Sequence, residues 1–242
     1  MKRYGLIGYP LSHSFSKKYF EEKFRSEGIT GCAYDLFPIP SIDMLDELLK
    51  ATPDLHGLNV TIPYKRQVLP YLDDVSNLPL EACNCIKIQN SKLTGYNTDV
   101  MGFEQSFSPL LQPHHNRALI LGSGGAAAAV AYCLGKLDIS YSIVSRNPGP
   151  DVQLTYKDID ASLIASTPII INTTPLGMYP NVHDAPPLPY EAITEGHYLF
   201  DLHYNPIKTL FLKKGEEKGA AIRNGYDMLV IQAEESWKIW NC

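Results

Sequence analysis

Asn59-Val60-Thr61-Ile62-Pro63-Tyr64-Lys65 sets a lysine just past an apolar strand, in a turn that a proline stiffens. An ammonium group held rigidly at the rim of a pocket can bond a hydroxyl or a carbonyl oxygen. Partial removal from water makes an amine give up its proton more readily, which suits it to acid–base work. Standing alone, Lys65 reads equally well as a solvated surface lysine. Tyr96-Asn97-Thr98-Asp99 closes another strand and opens a helix. Asp99 fits two roles there, a helix N-cap or one end of a proton network with Lys65. Interconverting an alcohol and a ketone needs such a pair, because a proton leaves oxygen while a hydride leaves carbon. Pro10-Leu11-Ser12-His13-Ser14-Phe15-Ser16 follows the first strand and starts a helix. Ser14 and Ser16 can donate hydroxyls to a carboxylate near that helix start, and Ser16 also fits a plain N-cap.

A second chemistry sits farther along. Gly122-Ser123-Gly124-Gly125-Ala126-Ala127 fits G-x-G-x-x-A directly after an apolar strand, Ala118 to Leu121, and directly before an alanine-rich helix. The first glycine permits a tight turn, the second lets backbone approach a pyrophosphate, and the small Ala127 allows close helix–strand packing. The helix start then offers free N–H groups and partial positive charge to phosphates. The next strand ends in Ile143-Val144-Ser145-Arg146-Asn147, with no carboxylate to hold a ribose 2′-hydroxyl. Arg146 suits a 2′-phosphate instead, so NADP is favoured over NAD. A solvated loop arginine is the plainer reading. Asn172-Thr173-Thr174-Pro175-Leu176-Gly177-Met178 follows another buried strand. Thr173, Thr174 and the backbone near Gly177 and Met178 are placed to face the cofactor, or form an ordinary strand-to-loop turn.

The elements that position these groups alternate strand and helix, the sign of an α/β protein. Strands are expected at Tyr4–Ile7, Cys32–Phe37, Leu58–Ile62, Ile86–Gln89 and Lys92–Tyr96, the last two joined by a hairpin turn at Asn90-Ser91. Helices are expected from Ser16 to Glu27 and from the N-cap Ser41 to Ala51. After Pro113 come strands near 118–121, 140–144, 169–171 and 198–200, with helices from Ala126 to Leu137, Thr209 to Lys218 and Met228 to Trp240. The expected division runs through a helix near 100–110. Residues 1–100 then read as one α/β domain and 101–224 as a Rossmann-like, doubly wound dinucleotide-binding domain.

Net charge is −5, against the basic footprint of a nucleic-acid binder. Five cysteines include no Cys-x-x-Cys pair, so neither a disulfide framework nor a zinc site is indicated and no metal is expected. Reduced thiols fit a cytoplasmic protein. No apolar window approaches the roughly 20 residues of a membrane span.

Taken in order, these segments resemble the shikimate dehydrogenase family. The family pattern is serine-x-serine after the first strand, N-V-T-x-P-x-K, an asparagine on a central strand, N-T-D, and a glycine turn of G-x-G-G-A type. Tyr204-Asn205-Pro206-Ile207-Lys208 and Gly225-Tyr226-Asp227-Met228-Leu229 add two more signatures. The resemblance implies that residues 1–100 form a substrate-binding domain to which 225–242 return, and that Ser14 and Ser16 hold the substrate carboxylate, with Tyr204 close by. It implies that Thr61, Asn84, Asp99 and Gln232 bond ring hydroxyls, and that Lys65 and Asp99 form the catalytic pair. Gly122, Ser123, Gly124, Gly125 and Ala126 would hold the pyrophosphate and Arg146 the 2′-phosphate. Ser145, Asn172, Thr173, Thr174, Gly177, Met178 and Gly225 would complete the NADP site. The implied reaction is NADPH-dependent reduction of 3-dehydroshikimate to shikimate by a monomer or homodimer. Departures are Ser145-Arg146-Asn147 for the usual Asn-Arg-Thr, Cys85 for a threonine, Tyr226-Asp227 in a usually small, neutral turn, and a short C-terminal side. Two other readings stand beside this one. The first is a quinate/shikimate dehydrogenase using NAD or NADP, and the second is a non-catalytic NADP- or metabolite-sensing protein on the same fold.

Overall fold

The computed structural model describes residues 1–11 and 15–242. It divides into two units, Met1–Thr98 with Gln232–Cys242, and Asp99–Ile231. Both divisions fall on helices rather than on loops, at residues 98/99 and 231/232 where the sequence suggested 100/101 and 224/225.

In the first unit the chain runs β1 (Lys2–Gly8), α1 (Phe15–Ser26), β2 (Cys32–Pro38), α2 (Leu45–Ala51), β3 (Leu55–Val60), β4 (Cys85–Gln89) and β5 (Lys92–Tyr96). The sheet order is β2-β1-β3-β4-β5. β1 lies parallel to β2 and β3, while β3, β4 and β5 pair antiparallel. Asn90 and Ser91 both take positive φ, 52° and 61°, as a two-residue hairpin turn of the primed type requires. Ser41 accepts from the Asp43 N–H and caps a 3-10 turn that leads into α2. α1 already includes Phe15, so Ser16 stands inside the helix and does not cap it. One sheet face buries Ile7, Leu45, Leu58, Tyr64 and Ile86. The other buries Tyr4, Phe20, Tyr34 and Trp240, with Tyr4 and Trp240 stacked at 4.9 Å.

The second unit opens with most of α3 (Thr98–Phe107). It continues as β6 (Arg117–Leu121), α4 (Gly125–Lys136), β7 (Ser140–Ser145), β8 (Leu154–Thr155), α5 (Ala161–Ala165), β9 (Ile169–Asn172), β10 (Tyr198–Asp201), α6 (Leu210–Glu216), β11 (Ala221–Arg223) and the start of α7 (Tyr226–Asn241), whose residues from Gln232 on belong to the first unit. Its sheet is parallel throughout, in the order β11-β10-β9-β6-β7-β8. Such strands are buried on both faces, which is why they read as unbroken apolar runs such as Ala118-Leu119-Ile120-Leu121. The order reverses direction between β6 and β9, and an open α/β sheet binds ligands outside the carboxyl ends of the strands at such a point. β8, α5 and β11 were not foreseen, because two, five and three residues carry too little periodicity to stand out. No helix among the described residues is long and apolar enough to cross a membrane.

Candidate active site

The nucleotide turn follows β6 directly. Gly122 takes φ +111°, and a Cβ there would come within 2.5 Å of Thr173 Oγ1. Glycine is therefore required twice, by backbone conformation and by space. Gly124 is the extended N-cap of α4. A Cβ at Gly124 or Gly125 would meet nothing within 4 Å, so the first N–H groups of the helix face open space. Gly122, Ser123, Gly124, Ser145, Arg146, Thr173, Thr174 and Leu176 line one groove of about 890 Å³ within this unit. Arg146 is exposed at its rim. The end of β7 carries no carboxylate to repel a 2′-phosphate. These residues fit a phosphorylated dinucleotide: open backbone donors, a helix start and one guanidinium converge on one groove.

Asn172, Thr173 and Thr174 divide their roles. Asn172 is fully buried. Its Oδ1 accepts from Thr174 N at 3.1 Å and Thr174 Oγ1 at 2.7 Å, and its Nδ2 donates to Leu176 O and Asp201 Oδ1, each at 3.2 Å. Asn172 therefore shapes the turn from beneath, where the sequence suggested direct cofactor contact. Thr173 donates its hydroxyl to Leu121 O at 2.8 Å and locks β9 to the end of β6. Asp201 is buried below them, and burial pushes its carboxyl up although Thr209 donates to it at 2.6 Å. Met178 is exposed, and neither it nor Gly177 lines the groove. At Gly225 a Cβ would press within 2.0 Å of Leu202 O, so this glycine serves the packing of its own turn.

The first unit gathers the other set. Thr61 N donates to Ile7 O at 3.0 Å, and Tyr64 N closes a turn onto Thr61 O at 2.9 Å. Tyr64 is buried and donates to Ile39 O at 2.6 Å, which anchors the turn and leaves Lys65 half-buried. Lys65 O accepts from Cys83 N at 2.7 Å, tying the lysine to the segment that carries Asn84. Asn84 is buried just before β4: its Oδ1 accepts from Thr98 N at 2.6 Å and its Nδ2 donates to Thr98 Oγ1 at 3.0 Å. α3 thus starts at Thr98, so Asp99 is already helical and is not the N-cap.

Two residues passed over in the sequence build the floor of this unit. Tyr34 Oη donates to Asn59 Oδ1 at 2.8 Å, and Asn59 Nδ2 donates to Ser236 Oγ at 2.9 Å. Ser236 Oγ lies 3.3 Å from Thr98 Oγ1 and 2.9 Å from Gln232 O. All these groups are buried or half-buried, and the chain of bonds links α7, β3 and the first turn of α3. Ser16, Thr61, Lys65, Asn84 and Gln232 therefore belong to the first unit, while Asp99, Tyr204 and the nucleotide turn belong to the second. Ser14 lies outside the described residues. Asn59 was readable only as part of a motif, since its partner Ser236 lies 177 positions away.

Residues 6–86 match the family model of the shikimate dehydrogenase substrate-binding domain. A shikimate dehydrogenase (NADP(+)) of Clostridium beijerinckii is 38% identical, over 99% of this chain and 92% of that protein. One from Methanococcus aeolicus is 35% identical, over 99% of this chain and 91% of that protein. The chain belongs to the shikimate dehydrogenase family. A crystal structure of a chorismate mutase/shikimate 5-dehydrogenase fusion protein from Clostridium acetobutylicum matches with a TM-score of 0.88 at 37% identity, covering 100% of this chain and 91% of that one. Against the family pattern, two departures now have a place. Asp227 accepts from Arg223 Nη2 at 2.8 Å, and Arg223 Nη1 donates to Ser106 O at 2.6 Å, so the added acid pins α7 to the end of β11. Cys85 is fully buried and packs with Tyr4 and Phe20.

Proposed function

We propose that the chain catalyses the reversible, NADPH-dependent reduction of 3-dehydroshikimate to shikimate. The observation that carries this reading is the open glycine turn with an arginine and no acid at the next strand end, and the half-buried Lys65 on its Tyr64-anchored turn in the other unit supports it. Family membership at 35–38% identity over nearly the whole chain supports it.

Bound NADPH supplies the hydride to the ketone carbon. The chain's residues do the rest. The α4 N-terminus and the backbone of Gly124 and Gly125 orient the pyrophosphate, and Arg146 holds the 2′-phosphate. Thr61, Asn84 and Gln232 hold ring hydroxyls; one of the two Asn84 Nδ2 hydrogens goes to Thr98. Ser16, with Ser14, holds the carboxylate. Lys65 gives a proton to the developing alkoxide and takes one back in the reverse direction, with Asp99 as its acidic counterpart. The cytoplasm, where NADPH and reduced thiols coexist, is the compartment this chemistry suits.

The test is nicotinamide absorbance with shikimate plus NADP, then with NAD, then with quinate replacing shikimate. Fast reduction of NADP by shikimate alone is the expected result. Lys65→Ala should lower turnover on the order of 10²–10⁴-fold with NADPH binding intact. Turnover within a few-fold of the parent refutes the role of Lys65.

A further inference from the structure

β7 and β8 run parallel, and their last paired rung is Ser145 with Thr155. Arg146 and Tyr156 are the next residues on the two strands. Neighbouring strands lie about 4.8 Å apart, so the two residues leave the carboxyl edge of the sheet side by side. Both line the same groove as Gly122, Ser123 and Gly124. Tyr156 is rigidly mounted. It opens a 3-10 turn whose capping box closes when Asp158 Oδ2 accepts from Thr155 N at 2.7 Å and from Thr155 Oγ1 at 2.8 Å. Its ring packs with the core of Leu121, Val144 and Ile164.

The Tyr156 hydroxyl is buried and has no hydrogen-bond partner. Folded proteins rarely leave a buried hydroxyl unpaired, and this one belongs to a residue that lines a ligand groove, so it is a group waiting for an acceptor. Burial pushes the phenol up, and the nearby Arg146 charge pulls it back only in part. The group therefore stays protonated at neutral pH and serves as a donor. An anion drawn to Arg146 is the acceptor that this geometry suits.

We propose that Tyr156 is a further specificity-determining residue, whose hydroxyl donates a hydrogen bond to the cofactor's 2′-phosphate beside Arg146. The inference rests on the reading of Arg146 as the 2′-phosphate ligand. Tyr156 adds direction to it: the guanidinium supplies charge, and the fixed phenol supplies one donor at a set position. A dinucleotide lacking the 2′-phosphate offers no charged acceptor there.

The parent enzyme, Tyr156→Phe and Arg146→Ala are each titrated with NADPH and with NADH by nicotinamide fluorescence. Tyr156→Phe keeps the ring and its packing. It should weaken NADPH about 10-fold, equal to about 1.4 kcal/mol, and leave NADH within about twofold. Thermal unfolding of the cofactor-free variant should be no lower than that of the parent, because deleting an unpaired hydroxyl removes no bond. The proposal fails if NADPH affinity stays within about twofold, if both cofactors weaken equally, or if the cofactor-free variant melts lower. Arg146→Ala separates the two readings. If it weakens NADPH selectively while Tyr156→Phe does nothing, only the tyrosine assignment falls. If Arg146→Ala weakens both cofactors equally, the 2′-phosphate site itself falls, and Tyr156 with it.

Discussion

Replacing Asn59 by alanine removes the hub of the buried network in the first unit, and the structure lets the damage be counted. Tyr34 Oη loses its acceptor at 2.8 Å and Ser236 Oγ loses a donor at 2.9 Å. Asn84 O, the third partner at 3.3 Å, keeps the Val60 N–H at 2.9 Å. Ser236 keeps Gln232 O at 2.9 Å. One group is left stranded, the hydroxyl hydrogen of Tyr34. Ionisation gives no escape, because burial pushes that phenol far above its ordinary range. Three lost bonds at about 1 kcal/mol each and one stranded donor at about 1–3 kcal/mol give a loss of about 4–6 kcal/mol. Tyr34→Phe alone costs about 1–2 kcal/mol, since it strands only an acceptor. In the double variant the shared bond is lost only once and the stranded hydroxyl is gone, so the total falls short of the sum by at least about 2 kcal/mol. Urea unfolding followed by tryptophan fluorescence reads this unit selectively, because the two tryptophans, Trp237 and Trp240, both lie in it. Additivity within about 0.5 kcal/mol, or a loss under about 1 kcal/mol for Asn59→Ala, refutes the network as drawn.

Gly122→Ala should destabilise the second unit by about 1–3 kcal/mol and weaken NADPH and NADH alike, because φ +111° and the 2.5 Å approach to Thr173 Oγ1 are independent of the 2′-phosphate; calorimetry and cofactor titration check both. Burial pushes the Glu234 carboxyl up, but Lys23 and Tyr19 pull harder and hold it below its ordinary value of 4.5. A depressed carboxyl stabilises the fold above its unfolded value and loses that effect as pH falls through the folded one. Glu234→Gln should therefore lower the melting temperature at neutral pH and flatten its fall below about pH 4.5; a fall parallel to the parent's contradicts the assignment. Cys133 is buried, and burial pushes its thiol up to about 12, whereas Cys242 is exposed. A thiol reagent at neutral pH should label Cys242 at once and Cys133, Cys83 and Cys85 only on unfolding; rapid labelling of Cys133 contradicts this.

The legible parts of the sequence were those where one physical signal dominates. Ala118-Leu119-Ile120-Leu121 followed by Gly122-Ser123-Gly124-Gly125 announces strand, turn and helix, because a strand buried on both faces must be apolar and a tight turn must be glycine. Asn90-Ser91 between two alternating runs announces the hairpin. Ser16 and Asp99 were placed too late in the chain as caps, since Phe15 and Thr98 are already helical and helix starts carry little signal of their own. Asn172 looked like a ligand because it stands at a strand end. That it faces inward toward Asp201 depends on a strand 29 positions away. Tyr156 was invisible for the same reason: β8 has two residues, and only its register with β7 puts Tyr156 beside Arg146.

The first unit is discontinuous in the chain, and that orders events during synthesis. Tyr4, Phe20, Phe24 and Tyr34 are made well before α7, yet Trp237 and Trp240 cover them from that helix. Trp240 Nε1 also bonds Ile86 O at 3.0 Å, and a Cβ on Gly57 would strike its ring at 2.3 Å, so the seat is cut to the indole. β1, β2 and β3 therefore wait with an aromatic face open until α7 emerges from the ribosome. Asp99–Ile231, contiguous and built on local β-α-β crossovers, can finish first. The strands β1 and β2 thus reach their native packing only after the whole of the second unit has been made.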